Sequence, residues 1–327
     1  MLRVLEVTLP VFALVFCGFF GQRWHLLPAR AVQGINAFVF FFALPAMLFR
    51  VVATQKPASF SDGRFALGYA VATVAVFLFT RSAALPPRTG WRDDDPQARA
   101  AAGSQATAFG LNTAHGNIGY LGIPLVLELG RDYLPTLILA MICDIFLVIT
   151  LGIALLELDR RRGRPAVQGE RRVSVTKTVA LGLARSPLVV AIALGLLWAL
   201  WAQPLPGVLD NFSRILGAAA GPCALFAIGA SLAGRRPDRP LIAAWLSFAK
   251  LVLHPAAVAI AALWLFPVEP YAAGVMIAAA ALPVAGNVFI LAQHYGVAPQ
   301  RVSTAILIST ALSVLTVTAV IALLETT

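Results

Sequence analysis

Apolar residues run through this chain in long unbroken stretches separated by short polar ones. A helix rises about 1.5 Å per residue, so crossing ~30 Å of hydrocarbon takes about 20 mostly apolar residues. Lipid offers backbone groups no partner, which restricts a span to a helix or a closed barrel. The runs are continuous rather than alternating, and that favours helices. The pattern predicts an all-α integral membrane protein with ten transmembrane helices, near 4–23, 32–53, 65–82, 100–129, 132–157, 179–201, 208–232, 241–266, 270–295 and 300–324. The first run has the length of a full span and fits the repeat described below, so it is read as retained and not as a signal peptide.

Composition agrees with that reading. The chain has 327 residues, of which 59% are apolar and 12% charged. That is about half the charged share of a soluble domain, too little to coat its surface. The net charge of +10 would suit nucleic acid, but arginine in membrane-protein loops serves to hold those loops in the cytoplasm. With the amino terminus outside, 18 of the 25 Lys and Arg residues fall on the cytoplasmic side, among them Arg23, Arg81, Arg160, Arg161, Arg162 and Arg301. Six fall on the other side and Lys250 lies within a span. The split predicts both termini outside and no nucleic-acid partner. Cys17, Cys143 and Cys223 all fall inside spans and read as small core residues. No Cys/His spacing resembles a metal site.

The strongly polar segment 158–178, with Arg160-Arg161-Arg162-Gly163-Arg164-Pro165, is a basic cytoplasmic linker between two five-span halves, 1–157 and 179–327. A shorter polar loop, 83–99, carries Asp93-Asp94-Asp95; interleaved with Arg88, Arg92 and Arg99, it reads as solvated rather than cation-binding. The halves resemble each other. Pro10 and Pro45 are 35 residues apart, as are Pro187 and Pro222, and both second prolines open a Pro-x-x-Leu-Phe sequence. Asn36 and Asn211 precede them by similar distances, and Gly116-Asn117 answers Gly286-Asn287. Five spans per copy make the second copy enter from the opposite face, an inverted repeat of the kind that builds secondary transporters around a midplane site.

The chemistry concentrates in spans 4 and 9. Span 4 passes through Asn112, His115, Gly116, Asn117, Gly119, Gly122 and Pro124, residues that weaken a helix or are costly against lipid. Span 9 does the same through Pro283, Gly286 and Asn287. Such interruptions are tolerated where they line a protein-enclosed cavity. A half-helix start there offers free N–H groups and a positive dipole end to an anion, and an asparagine amide can donate and accept. The bland alternative is two kinks with asparagines bridging neighbouring helices. Asp144 in span 5 and Lys250 in span 8 are buried charges of opposite sign, with His254 one turn beyond the lysine. Charges at that depth cost about 2.5 kcal/mol or more each and are functional candidates. They could neutralise each other or sense a coupling ion; a structural ion pair or a snorkelling lysine is the alternative. The hydroxyls Ser303, Thr304, Ser309, Thr310, Ser313 and Thr316 of span 10 are expected mostly to bond back to their own helix. Glu6, Glu128, His294 and Tyr295 read as interfacial. Trp198, Trp201 and Trp264 read as belt residues.

These residues resemble the auxin efflux carrier family, whose prokaryotic members include malonate- and malate-type permeases. The resemblance covers nearly the whole chain. It rests on Asn36 through Pro45 (Asn-Ala-Phe-Val-Phe-Phe-Phe-Ala-Leu-Pro), on Gly116-Asn117-Ile118-Gly119-Tyr120-Leu121-Gly122-Ile123-Pro124-Leu125, on Asp144, on Lys250-Leu251 with Pro255, and on Leu282-Pro283-Val284-Ala285-Gly286-Asn287 followed by Tyr295-Gly296. It implies ten spans in an inverted repeat, distantly similar to bile-acid/sodium symporters. It also implies a scaffold of spans 1, 2, 6 and 7, and a mobile transport part of spans 3–5 and 8–10. The crossing of broken spans 4 and 9 would bind the anion and move with it. Plant members carry Asn-Pro-Asn at the crossing; this chain has His115-Gly116-Asn117 and Ala285-Gly286-Asn287, which speaks against auxin itself. The long hydrophilic loop of many plant carriers is missing too, which points to a bacterial inner (plasma) membrane.

The expected function is alternating-access, elevator-like transport of a small organic anion such as a carboxylate, not enzymatic catalysis. Asn112, His115, Asn117, Pro283 and Asn287 are the expected substrate contacts, with Asp144, Lys250 and His254 in coupling or support. No cofactor or metal is expected; a coupling proton or sodium ion and a homodimer through the scaffold are left open. The rival readings are a sodium-coupled bile-acid-type symporter, a channel and an intramembrane enzyme, the last lacking any metal triad or Ser/His/Asp spacing.

Overall fold

The computed structural model of the chain describes residues 2–55, 63–85, 96–122, 134–162, 181, 184–233 and 239–325. Among these the secondary structure is helical apart from a single isolated β-bridge. Six helices are long and apolar enough to cross a membrane: Arg30–Ala53, Gly63–Ala84, Thr136–Arg162, Gly207–Ala230, Pro240–Leu265 and Pro299–Val320. Shorter apolar helices stand at Phe12–Arg23, Pro187–Trp201 and Pro270–Ala281. The Asp93–Asp95 triplet, Pro124, Glu128 and most of the basic linker lie outside the described residues.

The elements follow the predicted runs. They are α1 (Leu2–Arg23), α2 (Ala29–Phe38), α3 (Leu44–Ala53), α4 (Gly63–Ala84), α5 (Pro96–Ala114), α6 (Leu134–Cys143), α7 (Thr150–Arg162), α8 (Pro187–Trp201), α9 (Gly207–Ala218), α10 (Ala220–Leu232), α11 (Pro240–Phe248), α12 (His254–Ile260), α13 (Pro270–Ala281), α14 (Gly286–Tyr295) and α15 (Pro299–Glu325). Wider π turns carry the chain from α2 into α3 at Val39–Ala43, from α6 into α7 at Asp144–Ile149 and from α11 into α12 at Ala249–Leu253. Such turns free a backbone carbonyl and swing the following side chains round the axis, and they recur at functional sites. Here two of them carry Asp144 and Lys250. Helix α8 starts at Pro187, later than the apolar run at 179, because proline suits the first helical position and Ser186 before it is extended.

Close packing in lipid relies on small residues, since hydrocarbon gives helices no hydrophobic reason to associate. Helix α1 packs along α10, and α8 along α3. A β-carbon at Gly18 would collide with the carbonyl oxygen of Phe226, and one at Gly229 with that of Val15. A β-carbon at Gly195 would lie 2.8 Å from the carbonyl oxygen of Phe49, and one at Gly217 2.9 Å from Cα of Met47. Polar pairs fix further contacts. Arg50 Nε donates to Asp210 Oδ1 at 2.7 Å, tying α3 to α9. Asp159 on α7 is buried beneath Gly103 of α5 and receives Arg81 Nη2 of α4 at 3.3 Å and Thr107 Oγ1 at 3.3 Å.

The span-10 hydroxyls behave as expected: Ser303, Thr304, Ser309, Thr310 and Ser313 each donate to a carbonyl three or four residues back. Trp201 and Trp264 are exposed, as belt residues would be. Cys17 departs from its expectation: it faces outward from α1, and only Cys143 is fully buried. His294 stacks on Phe40 with ring centroids 3.9 Å apart, and Tyr295 donates to Glu157 Oε1 at 3.0 Å, so both side chains are engaged by neighbouring helices.

Gly18→Ala and Gly229→Ala should each force α1 away from α10 and cost about 1–3 kcal/mol, as overpacking does. Gly34→Ala, where nothing lies within 4 Å of the added carbon, should be neutral. Thermal unfolding of the detergent-purified protein checks this; equal melting temperatures for all three would show that the helices do not meet at these glycines.

Candidate functional site

Both interrupted helices break where the sequence loses its helix formers. Helix α5 stops at Ala114, and the chain resumes as a short π turn at Ile118–Gly122. Helix α13 stops at Ala281, runs extended from Leu282 to Ala285, and resumes as α14 at Gly286. The two breaks lie against each other. Gly116 and Val284 form an antiparallel bridge, in which Asn117 N donates to Pro283 O at 2.8 Å and Ala285 N to His115 O at 3.3 Å. Each break thus supplies the backbone partners that the other has lost, as a low-dielectric interior demands.

Side chains complete the arrangement. Asp144 Oδ2 accepts from Gly116 N at 3.0 Å and lies 3.5 Å from His115 Nδ1. Ser309 Oγ accepts from Val284 N at 3.2 Å. Asn287 Nδ2 and His115 Nε2 are 2.9 Å apart, linking the two breaks side chain to side chain. Lys250 Nζ donates to Ala280 O, near the end of α13, where a helix leaves its carbonyls unpaired. It also meets His254 Nδ1 at 3.0 Å, and His254 Nε2 lies 3.0 Å from Thr73 Oγ1 of α4. Lysine has no acceptor to offer, so His254 Nδ1 receives the bond and Nε2–H donates to Thr73.

A cavity of about 40 Å³ opens beside the bridge, room for about three waters where one needs 10–15 Å³. His115, Gly116, Asn117, Asp144 and Asn287 line it, with Met47 and Leu48 of α3 opposite. Two helical starts face it: Asn117 heads the π turn, and Gly286 and Asn287 open α14. First-turn N–H groups have no intrahelical acceptor and carry the positive end of the helix dipole.

Of the expected substrate contacts, the structure brings His115, Asn117 and Asn287 together on this cavity. Pro283 takes part through its carbonyl, inside the bridge. Asn112 is fully buried within α5, away from the cavity lining, and both its amide atoms lack a hydrogen-bond partner. Asp144 is in the wall itself. Lys250 and His254 stand behind the bridge, both fully buried. The expected neutralising pair differs in detail: Asp144 and Lys250 do not come within ion-pair distance, and Gly116 sits between them. A β-carbon there would lie 3.5 Å from Lys250 Nζ and 3.7 Å from Asp144 Oδ2.

Ser309 bonds back to Ile306 O, as expected of a span-10 hydroxyl, and beyond that expectation also accepts from Val284 N of span 9. The sequence reading passed over Thr73 and Tyr69, polar residues one turn apart in an otherwise apolar helix, a spacing that was there to be read. Tyr69 is fully buried, with its hydroxyl near Asp144 and Thr73. Met47 and Leu48 gave no chemical signal beyond their place in the Pro-x-x-Leu-Phe repeat.

The chain is similar over most of its length to known proteins. A family model described as "Membrane transport protein" matches residues 3–89 and 101–321. A protein of Rhizobium meliloti named "Putative malonate transporter" is 31% identical over 99% of this chain and 97% of its own length. The Escherichia coli "Uncharacterized transporter YfdV" is 25% identical over 88% of this chain and 87% of its own. "Auxin efflux carrier component 5" of Arabidopsis thaliana is 24% identical over 99% and 97%. A full-length family match on a helical chain with several membrane-crossing segments leads to one assignment: the chain belongs to the membrane transport protein family that includes the auxin efflux carriers, and it is a multi-pass transporter rather than an enzyme.

Proposed function

We propose that the protein is a secondary transporter of small carboxylates, malonate among them, working by alternating access with the cavity at the two helix breaks as its binding site. One observation carries this reading: the heads of two interrupted helices and two asparagines meet at a single cavity, and among the described residues its wall holds no lysine or arginine. A carboxylate would take its hydrogen bonds from Asn117, Asn287 and the amides at the start of α14. The name of the Rhizobium meliloti relative supports malonate as the first substrate to try.

The reading includes ten spans in two inverted halves. Its support is a constant offset of 177 residues: Pro10 answers Pro187, Pro45 answers Pro222, and Gly18 against Phe226 answers Gly195 against Phe49. A contact repeated with its two partners exchanged is what a two-fold relation between the halves produces. It also includes a scaffold of spans 1, 2, 6 and 7 beside a moving part of spans 3–5 and 8–10. Arg50–Asp210 joins two scaffold elements, whereas Arg81–Asp159, Glu157–Tyr295 and His115–Asn287 stay within the moving part. The excess of arginine on one side, where Arg81 and Arg162 converge on Asp159, supports a bacterial inner membrane with both termini outside. A sodium-coupled bile-acid-type symporter is the second reading, favoured by the unpartnered Asp144 Oδ1 beside the cavity.

In proteoliposomes, internal malonate should accelerate uptake of labelled malonate. Asn117→Ala and Asn287→Ala should each weaken it about 10- to 100-fold, the worth of a hydrogen bond to a charged group. Exchange that is absent in the wild type, or untouched by both substitutions, would remove the site. Potassium in place of external sodium abolishes transport only under the second reading. Lys250→Met should strand Ala280 O and His254 Nδ1, cost about 1–3 kcal/mol and depress transport; a thermal-melt series checks the stability part, and a variant as stable as wild type would show that the lysine does not hold the end of α13.

A further inference from the structure

The pairing of His115 with Asn287 constrains both side chains. Lacking a proton, His115 Nε2 can only accept, so at 2.9 Å it takes its bond from the Asn287 amide N–H. The ring proton then sits on Nδ1, facing Asp144 Oδ2 at 3.5 Å. In this arrangement one of the two Asn287 N–H donors is spent on the histidine, while Asn287 Oδ1 is buried with no hydrogen-bond partner. The cavity wall also holds the Asp144 carboxylate, whose Oδ1 is likewise unpartnered. An incoming anion would meet a carboxylate and an amide with one N–H already engaged.

One proton changes both features. With a proton on each ring nitrogen, Nε2–H can only donate, and the Asn287 amide must turn about its terminal bond so that Oδ1 accepts. That rotation satisfies the stranded oxygen and frees both N–H donors of an amide that belongs to the cavity lining. The imidazolium and the Asp144 carboxylate together carry no net charge. The other ionisable groups around this unit are accounted for. Lys250 lies behind Gly116, held by Ala280 O and His254 Nδ1, and His254 is held by Thr73. Tyr69 of α4 stands near Asp144 and His254. None of them bonds to His115 or Asn287, and none can make the amide turn.

We propose that His115 is a proton-linked specificity residue: it takes up one proton at Nε2 from water as the carboxylate enters, reverses the Asn287 amide so that its NH₂ group donates to the anion, and returns the proton to water on release. The proposal rests on the carboxylate-transporter reading above and deepens it, making proton and anion move together. Linkage then requires that anion affinity rise with falling pH, by at most about tenfold per pH unit for one proton.

Calorimetric titration of malonate into the full-length protein in nanodiscs tests this, run across a pH series in buffers of different ionisation enthalpy. The wild type should take up about one proton per malonate beyond the ligand's own titration. His115→Asn, which keeps an amide but holds no proton, should lose that uptake and flatten the pH dependence. His115→Gln serves as the second variant, with melting temperatures confirming that both are folded. Uptake retained in either variant, or malonate binding by the wild type without proton uptake, would overturn the proposal while leaving the carboxylate site standing. Absence of wild-type binding at every pH would instead overturn the carboxylate reading, and this inference with it.

Discussion

The rest of the site depends on the backbone bridge between residues 115–117 and 283–285. Neither break could survive alone in a membrane interior, where an unpaired N–H or C=O costs several kcal/mol. The two breaks pair with each other, and the groups left over are taken by side chains: Gly116 N by Asp144, Val284 N by Ser309, Ala280 O by Lys250. The buried charges are therefore explained first by the backbone they support. Under the proposed function, a role toward a substrate or a proton would be a second use of an arrangement that the interruption itself requires.

Much of this was legible. Two spans weakened by Gly and Pro at matching points in two halves predict two breaks, and asparagines beside the breaks predict a polar cavity. The direct bridge was not legible, because which backbone atoms meet depends on how far each helix slides along its neighbours. Asn112 shows the limit of residue-level reasoning. It lies one turn before His115, yet it is still inside α5, about 4.5 Å further back along the helix axis, and does not line the cavity. Asn36 and Asn211 show the same limit in the repeat. They are 175 residues apart rather than 177, and two residues on a helix are about 200° of rotation. Asn36 is buried, whereas Asn211 is at the surface, accepting from Arg214.

The two breaks are held by different chemistry. In the first, the N–H group at the break is caught by a carboxylate, Asp144; in the second, by a hydroxyl, Ser309. Behind the second break stands an ammonium, Lys250, while α4 and α5 meet near the first through the hydroxyls of Thr80 and Thr113 at 3.0 Å.

Gly116 is where these demands meet. Its missing side chain lets the bridge form with Ala279 O close by, a contact that a β-carbon would tighten to 3.2 Å. The same gap leaves Lys250 and Asp144 near enough to feel each other's field, yet too far apart to form an ion pair. A direct pair would hold the carboxylate behind the bridge, since two opposite charges in a low-dielectric interior attract far more strongly than in water. Kept apart by one glycine, Asp144 stays in the cavity wall with one oxygen unpaired and His115 at its side. The lysine is committed to the carbonyl of Ala280 and to His254.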